Sequence, residues 1–377
     1  MSDAVVIGAG PGGLAVAATL RGRGVDTEVV DRADAVASTW RGHYERLHLH
    51  TVRWLSSLPG YPIPREYGNW VARGDVVRYL EAYAAHHGIR PTFNTAIDRI
   101  DRDGDGWVLR SDQGDRTAAH VVVATGYNHT PVVPDWPGVA DFDGELLHAS
   151  RYRNATPYVG KDVLVVGAGN TGAEIAIDLV ETGAQRVRIA IRNPPHIVYR
   201  ELNGIPNQLL GVVFRYAPNA VFDPIARVMR RLTLGDLTPY GLPAPADGLY
   251  ERVRRDDAIP MLDIGFVDLV KAGRIEVVAA PVEFAGRQVR LADGAVIEPQ
   301  VVIAATGYRR GLEPLVGHLG VLRGDGRPKV HGARCHPDAP GLWFTGFTNP
   351  MSGMFRELAI DARRIARAIT RKEPARR

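Results

Sequence analysis

Two glycine-rich runs at the same internal spacing carry the first chemistry in this chain. They are Gly8-Ala9-Gly10-Pro11-Gly12-Gly13 and Gly167-Ala168-Gly169-Asn170-Thr171-Gly172. Each follows an apolar strand pattern, at 4–7 and 163–166, and each opens a helical pattern. In that setting the first glycine makes a tight turn and the second lets backbone approach a pyrophosphate. The third lets helix pack on strand, and the helix N-terminus faces the phosphate charge. One such run is also what an ordinary glycine turn in a βα unit looks like. Two in strand–loop–helix context imply two adenine dinucleotides and a transfer of electrons between them.

The residues ending the next strands separate the two sites. Asp31 follows the strand pattern 27–30, where a carboxylate accepts both ribose hydroxyls of an adenosine; the alternative is a turn aspartate. Arg192 follows the pattern 188–191 at the equivalent place. A guanidinium there grips a 2′-phosphate that a carboxylate would repel; the alternative is an arginine capping a sheet edge. The first site thus reads as FAD or NAD, the second as NADPH. A flavin beside a nicotinamide supports hydride transfer, so FAD is the expected first cofactor. Trp40, in Ser38-Thr39-Trp40-Arg41, and the run Leu47-His48-Leu49-His50-Thr51 either line the isoalloxazine or pack as loop. Arg200 either clamps a substrate carboxylate or lies on the surface.

The elements that must position these residues repeat. Ala124-Thr125-Gly126-Tyr127 follows an apolar strand, and Ala305-Thr306-Gly307-Tyr308 follows another at 301–304. The copies span 4–127 and 163–308. A helix is expected at 75–87 and a meander at 97–100, 107–110 and 117–123. A further strand, 342–345, and a last helix, 353–370, must complete the first copy. The expected fold is α/β, with two Rossmann-like, three-layer ββα dinucleotide-binding domains, the NADPH domain inserted into the FAD domain. The FAD domain takes 1–155 plus 310–377 and the NADPH domain 156–309. Within the latter, 194–262 is proline-rich and breaks the repeat. It builds either a lid and substrate wall or a structural decoration or dimer surface.

Bulk properties bound the rest. The 377 residues, 45% hydrophobic, suffice for two cores. Net charge is +4 with pI near 9.2, and only four of the 46 basic residues are lysine. No nucleic-acid-binding motif accompanies the Arg363-Arg364 and Arg376-Arg377 pairs, so they read as solvated faces. The single cysteine, Cys335, allows no intramolecular disulfide and no CxxC redox pair, and fits a reducing compartment. The first strand leaves no room for a signal peptide, and no apolar run reaches about 18 residues. A cytoplasmic protein is expected, monomer or homodimer, with a small-molecule substrate, no nucleic-acid partner, no membrane span and no metal.

Between the two copies lies Phe142-Asp143-Gly144-Glu145-Leu146-Leu147-His148-Ala149-Ser150-Arg151-Tyr152, of the form F-x-G-x-x-x-H-x-x-x-Y. With the paired glycine loops and the paired ATGY runs, it resembles the signature of flavin-containing monooxygenases, matched at Phe142, Gly144, His148 and Tyr152. The resemblance covers essentially the whole chain and runs toward the short YUCCA-like branch. Tyr79-Leu80-Glu81-Ala82-Tyr83-Ala84, Met261-Leu262-Asp263-Ile264-Gly265 and Gly341-Leu342-Trp343-Phe344-Thr345-Gly346-Phe347 carry it. Many members of the family have Asn where this chain has His50, and the segment 348–351 departs from the plant branch.

The resemblance implies FAD contacts from Gly8, Gly10, Pro11, Gly12, Gly13, Asp31, Arg32, Trp40, His50, Thr51, Ile97, Thr125, Gly126, Gly346 and Asn349. It implies NADPH contacts from Gly167, Gly169, Asn170, Thr171, Gly172, Arg192, Thr306, Gly307 and Tyr308. His50 is the candidate catalytic residue, and His148 is expected to hold the hinge between the domains. The implied activity is NADPH- and O2-dependent oxygenation through a C4a-(hydro)peroxyflavin. N- or S-oxygenation, Baeyer–Villiger-type insertion and oxidative decarboxylation of an aromatic 2-oxo acid all share it. The alternatives are an NADPH-dependent flavin reductase or electron-transfer flavoprotein, for which the lone Cys335 is a poor fit, and a non-catalytic nucleotide sensor.

Overall fold

The computed structural model describes residues 2–213 and 219–371; the Arg376-Arg377 pair lies outside them. Two sheets, the first mixed and the second parallel, organise these residues. In the first, Ser2–Ile7 lies between Thr27–Val30 and Arg116–Val123. The early part of Arg116–Val123 pairs with the antiparallel strands Gly106–Ser111 and Ile97–Asp103, the expected meander. Its later part pairs in parallel with Leu342–Phe344, so the chain returns to this sheet near its end.

The second sheet repeats the plan. Asp162–Val166 lies between Arg186–Ile191 and Val301–Ala304, with Ile275–Ala279 at one edge and Glu145–His148 at the other. The strand Glu145–His148 lies ahead of the expected boundary after residue 155, yet it pairs in the second sheet. Its hydrogen bonds to Val301–Ala304 put the linker motif on that sheet's edge. In both sheets the strand feeding the glycine loop is central and buried on both faces, so it reads as an unbroken apolar run rather than an alternating one.

Helices cover the sheets through apolar stripes. Pro11–Arg21 starts with Pro at its first turn, where a missing N–H costs nothing. Met354–Ile369 buries Phe355, Leu358, Ala359, Ala362, Ile365 and Ala366 and leaves Arg363, Arg364 and Arg367 exposed. The two helices pack together, and a Cβ on Gly12 would stand 3.0 Å from Leu358. The expected helix at 75–87 is Arg73–His86.

The break in the repeat, 194–262, has a closed neck. Ile197–Tyr199 and Met261–Asp263, at its two ends, pair in parallel. Between them lie the hairpin Glu201–Leu202 with Ile205–Pro206, and the helices Gln208–Val213, Asn219–Leu234 and Leu249–Asp256. Asp223 accepts hydrogen bonds from the backbone N–H of Tyr250 (2.7 Å) and Glu251 (3.3 Å), so one insertion helix caps the next.

Candidate active site

The two glycine loops have the same geometry, residue for residue. Gly8 has φ +113°, and a Cβ there would lie 2.5 Å from the Ala124 carbonyl oxygen. Gly167 has φ +112°, with the Ala305 carbonyl oxygen at the same 2.5 Å. A Cβ on Gly13 would meet the Gly8 carbonyl oxygen at 1.8 Å, and one on Gly172 would meet that of Gly167 at 1.9 Å. The first and third glycines are thus demanded by the chain's own backbone. The middle ones, Gly10 and Gly169, have nothing within 4 Å of the place a Cβ would fill. No atom of the described residues explains them; open space in front of a helix N-terminus does. Neither helix has an acidic residue in its first turn or a side-chain cap, so its first N–H groups are left for an external anion.

Both middle glycines face one cleft of about 1470 Å³. Of the expected FAD residues, Gly8, Gly10, Pro11, Gly12, Asp31, Arg32, Trp40, His50, Thr51, Ile97, Thr125, Gly126, Gly346 and Asn349 line it. Gly13 acts from behind, by packing. Asp31 uses one oxygen on the Ala9 N–H (2.6 Å) and the other on the Ala33 N–H (2.8 Å). Those bonds fix the carboxylate and leave a lone pair on each oxygen. The Thr125 hydroxyl is buried and has no hydrogen-bond partner among the described residues. Trp40 stands edge-on to Phe355 and to His43, each at 5.8 Å. Burial, with Arg153 and Arg73 nearby, pushes the His43 pKa down to about 4.

On the second side Gly169, Asn170, Thr171, Arg192, Thr306, Gly307 and Tyr308 line the cleft, while Gly167 and Gly172 serve the packing behind it. Arg192 is exposed and makes no hydrogen bond or ion pair among the described residues. Two side chains in this set are committed elsewhere. Asn170 accepts from the Leu262 N–H (2.7 Å) and donates to the Pro260 carbonyl (3.3 Å), so it clamps the end of the insertion. The Thr306 hydroxyl donates to the Val132 carbonyl.

The linker motif works through contacts between elements. His148 Nδ1 accepts the Ser150 N–H (3.0 Å), which leaves Nε2 to carry the proton donated to the Gly307 carbonyl (3.1 Å). Burial lowers the pKa of this imidazole. Tyr152 donates to Asp178 (2.6 Å) and stacks on Tyr158. Two of the motif's four matched residues, His148 and Tyr152, therefore tie the linker strand to the second half of the chain.

Sequence reasoning missed several residues. Glu174, on the helix Asn170–Thr182, is 4% exposed; its carboxylate meets His50 Nε2 at 2.5 Å and the Tyr44 hydroxyl at 3.0 Å. An acid inside the apolar run Ala173-Glu174-Ile175-Ala176-Ile177 was the available signal. Gln208, in the insertion, accepts from the Val52 N–H (2.9 Å) and donates to the Ser352 carbonyl (2.7 Å). Nothing in the sequence marks Gln208, because its partners are backbone groups from distant segments.

The family model described as pyridine nucleotide-disulphide oxidoreductase matches residues 5–200. Cys335 is the chain's one thiol, and burial pushes its pKa up to about 11, so a dithiol–disulfide exchange has no partner here. Over 98% of its length the chain is 35% identical to the probable indole-3-pyruvate monooxygenase YUCCA3 of Arabidopsis thaliana, covering 86% of that protein. It is 37% identical to indole-3-pyruvate monooxygenase YUCCA1 of Oryza sativa subsp. japonica, over 92% of this chain and 86% of that one. The chain belongs to the YUCCA-like flavin-containing monooxygenases. It shares its fold with the flavin-containing monooxygenase of Stenotrophomonas maltophilia, at TM-score 0.72 and 23% identity over 97% of this chain and 98% of that one. This monooxygenase is an oxidoreductase that uses FAD, NADPH and O2. Among its described residues no helix is long and apolar enough to cross a membrane.

Proposed function

We propose that the loop 8–13 with Asp31 holds FAD, that the loop 167–172 with Arg192 holds NADPH, and that the enzyme decarboxylates an aromatic 2-oxo acid oxidatively. In this reaction one oxygen atom of O2 enters the product carboxylate, the other leaves as water, the substrate carboxyl leaves as CO2, and NADPH supplies the two electrons. The bound flavin supplies the oxygen-activating chemistry. The protein's part is placement. The first sheet with residues 310–377 serves FAD, the second sheet serves NADPH, and the insertion 194–262 acts as the lid that excludes water.

The observation that carries this reading is the pair Gly10 and Gly169. At both, nothing among the described residues lies within 4 Å of the place a Cβ would fill, and both open onto one cleft. Asp31 and Arg192 then divide the nucleotides by charge. His50 is the proposed catalytic side chain at the flavin, with Nε2 held by Glu174. The relatives' names as indole-3-pyruvate monooxygenases support the substrate class. A reducing cytoplasm suits the single thiol and the supply of NADPH, and a monomer or homodimer is sufficient.

The test is direct. The purified protein is expected to be yellow, and NADPH to bleach it much faster than NADH. A protein that stays colourless after incubation with FAD ends the reading.

A further inference from the structure

Arg200 is a cation in the cleft wall that makes no ion pair among the described residues. It follows the strand Ile197–Tyr199 at the neck of the insertion. Its N–H donates to the Asp263 carbonyl (3.2 Å), and its carbonyl accepts the Asn207 N–H (3.0 Å). These two bonds fix the backbone. Its guanidinium lies 4.4 Å from the centre of the Trp70 ring, which belongs to the first half of the chain. The Trp70 indole N–H donates to Glu201 at 3.1 Å. Consecutive residues thus grip one indole by its face and its edge, so the ring is held flat behind the guanidinium.

Arg200 lines the cleft and Trp70 does not. The Arg200 Nε is buried without a hydrogen-bond partner, and the side chain has no ion pair among the described residues. Burial lowers its pKa, against the opposing pull of Glu201 and Glu174. A half-buried guanidinium with no ion pair is only partly offset by the more distant Glu201 and Glu174 and by the Trp70 ring, and an anion entering the cleft would complete the compensation.

We propose that Arg200 is the specificity-determining residue that receives the substrate carboxylate, with Trp70 as the positioning residue behind it. The proposal rests on the 2-oxo acid reading above. A planar guanidinium fork matches a carboxylate bidentately, and the ring behind it fixes the plane of that fork. Leu202, Ile205, Leu210, Ile225 and Met229 line the same cleft and offer the apolar wall that an aromatic group needs.

The experiment compares phenylpyruvate with its methyl ester, which keeps the shape and lacks the charge. The KM of the acid and the inhibition constant of the ester are measured on the holoenzyme. The wild type is expected to favour the acid about 30-fold, the worth of one charge-assisted hydrogen-bonded pair. Arg200→Ala is expected to erase that preference, with ester inhibition, flavin content and NADPH KM unchanged. Arg200→Lys is expected to restore part of it, and Trp70→Leu to weaken it with the arginine still in place. A preference that survives Arg200→Ala overturns the proposal, as does a matching rise in NADPH KM, which would move Arg200 to the nucleotide. A wild type that reduces its flavin with NADPH but oxidises no aromatic 2-oxo acid overturns the substrate reading instead.

Discussion

His50 Nε2 lies 2.5 Å from Glu174 Oε1, and that contact joins a loop of the first half of the chain to the helix Asn170–Thr182 of the second. The other Glu174 oxygen accepts from Tyr44 at 3.0 Å. A carboxylate 4% exposed is thereby satisfied on both oxygens by side chains from the opposite half. Glu174→Ala leaves the His50 imidazole and the Tyr44 hydroxyl without their acceptor. It is expected to cost about 2 kcal/mol of stability, read as a lower thermal midpoint, and to slow flavin reduction by NADPH. Glu174→Gln, which keeps an acceptor, is expected to recover most of the midpoint. An unchanged midpoint in Glu174→Ala would refute the tie.

The glycines of each loop are expected to fail in different ways. Gly13→Ala places a methyl 1.8 Å from the Gly8 carbonyl oxygen, so it should give insoluble or unfolded protein. Gly10→Ala meets nothing within 4 Å, so it should fold and lose FAD. Gly169→Ala should fold, keep its flavin and lose NADPH. Circular dichroism and flavin absorbance separate these outcomes. Full FAD occupancy in Gly10→Ala would remove the pyrophosphate from that loop.

Arg192 makes no hydrogen bond or ion pair among the described residues and stands at the strand end that faces the second loop. Arg192→Ala is expected to raise the NADPH KM about 30-fold, the worth of one charge-assisted contact, and to leave the NADH KM within twofold. Equal effects on both nucleotides would show that Arg192 does not read the 2′-phosphate.

Acid is expected to destabilise the protein through its buried and half-buried histidines. Burial lowers the pKa of His43 from 6.5 to about 4 and also lowers those of His120, His148 and His331. The unfolded chain therefore binds more protons than the folded one below pH 6.5. The stability these neutral rings contribute is complete above pH 6.5 and is lost as pH falls toward 4. The raised Asp263 and Asp361 carboxyls act in the opposite sense at the low end of that window. Thermal midpoints of the wild type should fall across this range, and His43→Gln should flatten the fall. A midpoint that rises on acidification would contradict it.

The glycine loops and both ATGY runs were legible because local backbone geometry dictates their residue types, whereas the linker motif was legible only through the family resemblance, since it works through contacts between elements. Gly8 and Gly167 need positive φ, and Gly13 and Gly172 need the absence of a Cβ. The meander at 97–123 and the closing strand Leu342–Phe344 could also be read, from short apolar runs and their order. The roles of Asn170 and Thr306 were not legible. Their side chains bond the backbone of Pro260, Leu262 and Val132, contacts set by how the insertion and the linker fold back. Gln208 and Trp70 act through tertiary contacts and leave no local pattern. The membership of Glu145–His148 in the second sheet was hidden for the same reason, since pairing with Val301–Ala304 is a long-range event.

One turnover experiment tests the oxidative decarboxylation most directly. Holoenzyme, NADPH and an aromatic 2-oxo acid are mixed under oxygen-18 gas, and the product acid is analysed by mass spectrometry. The expected product is an arylacetic acid carrying one heavy oxygen atom, with one NADPH consumed per product and no product without oxygen. NADPH oxidation that yields no labelled organic product would contradict it.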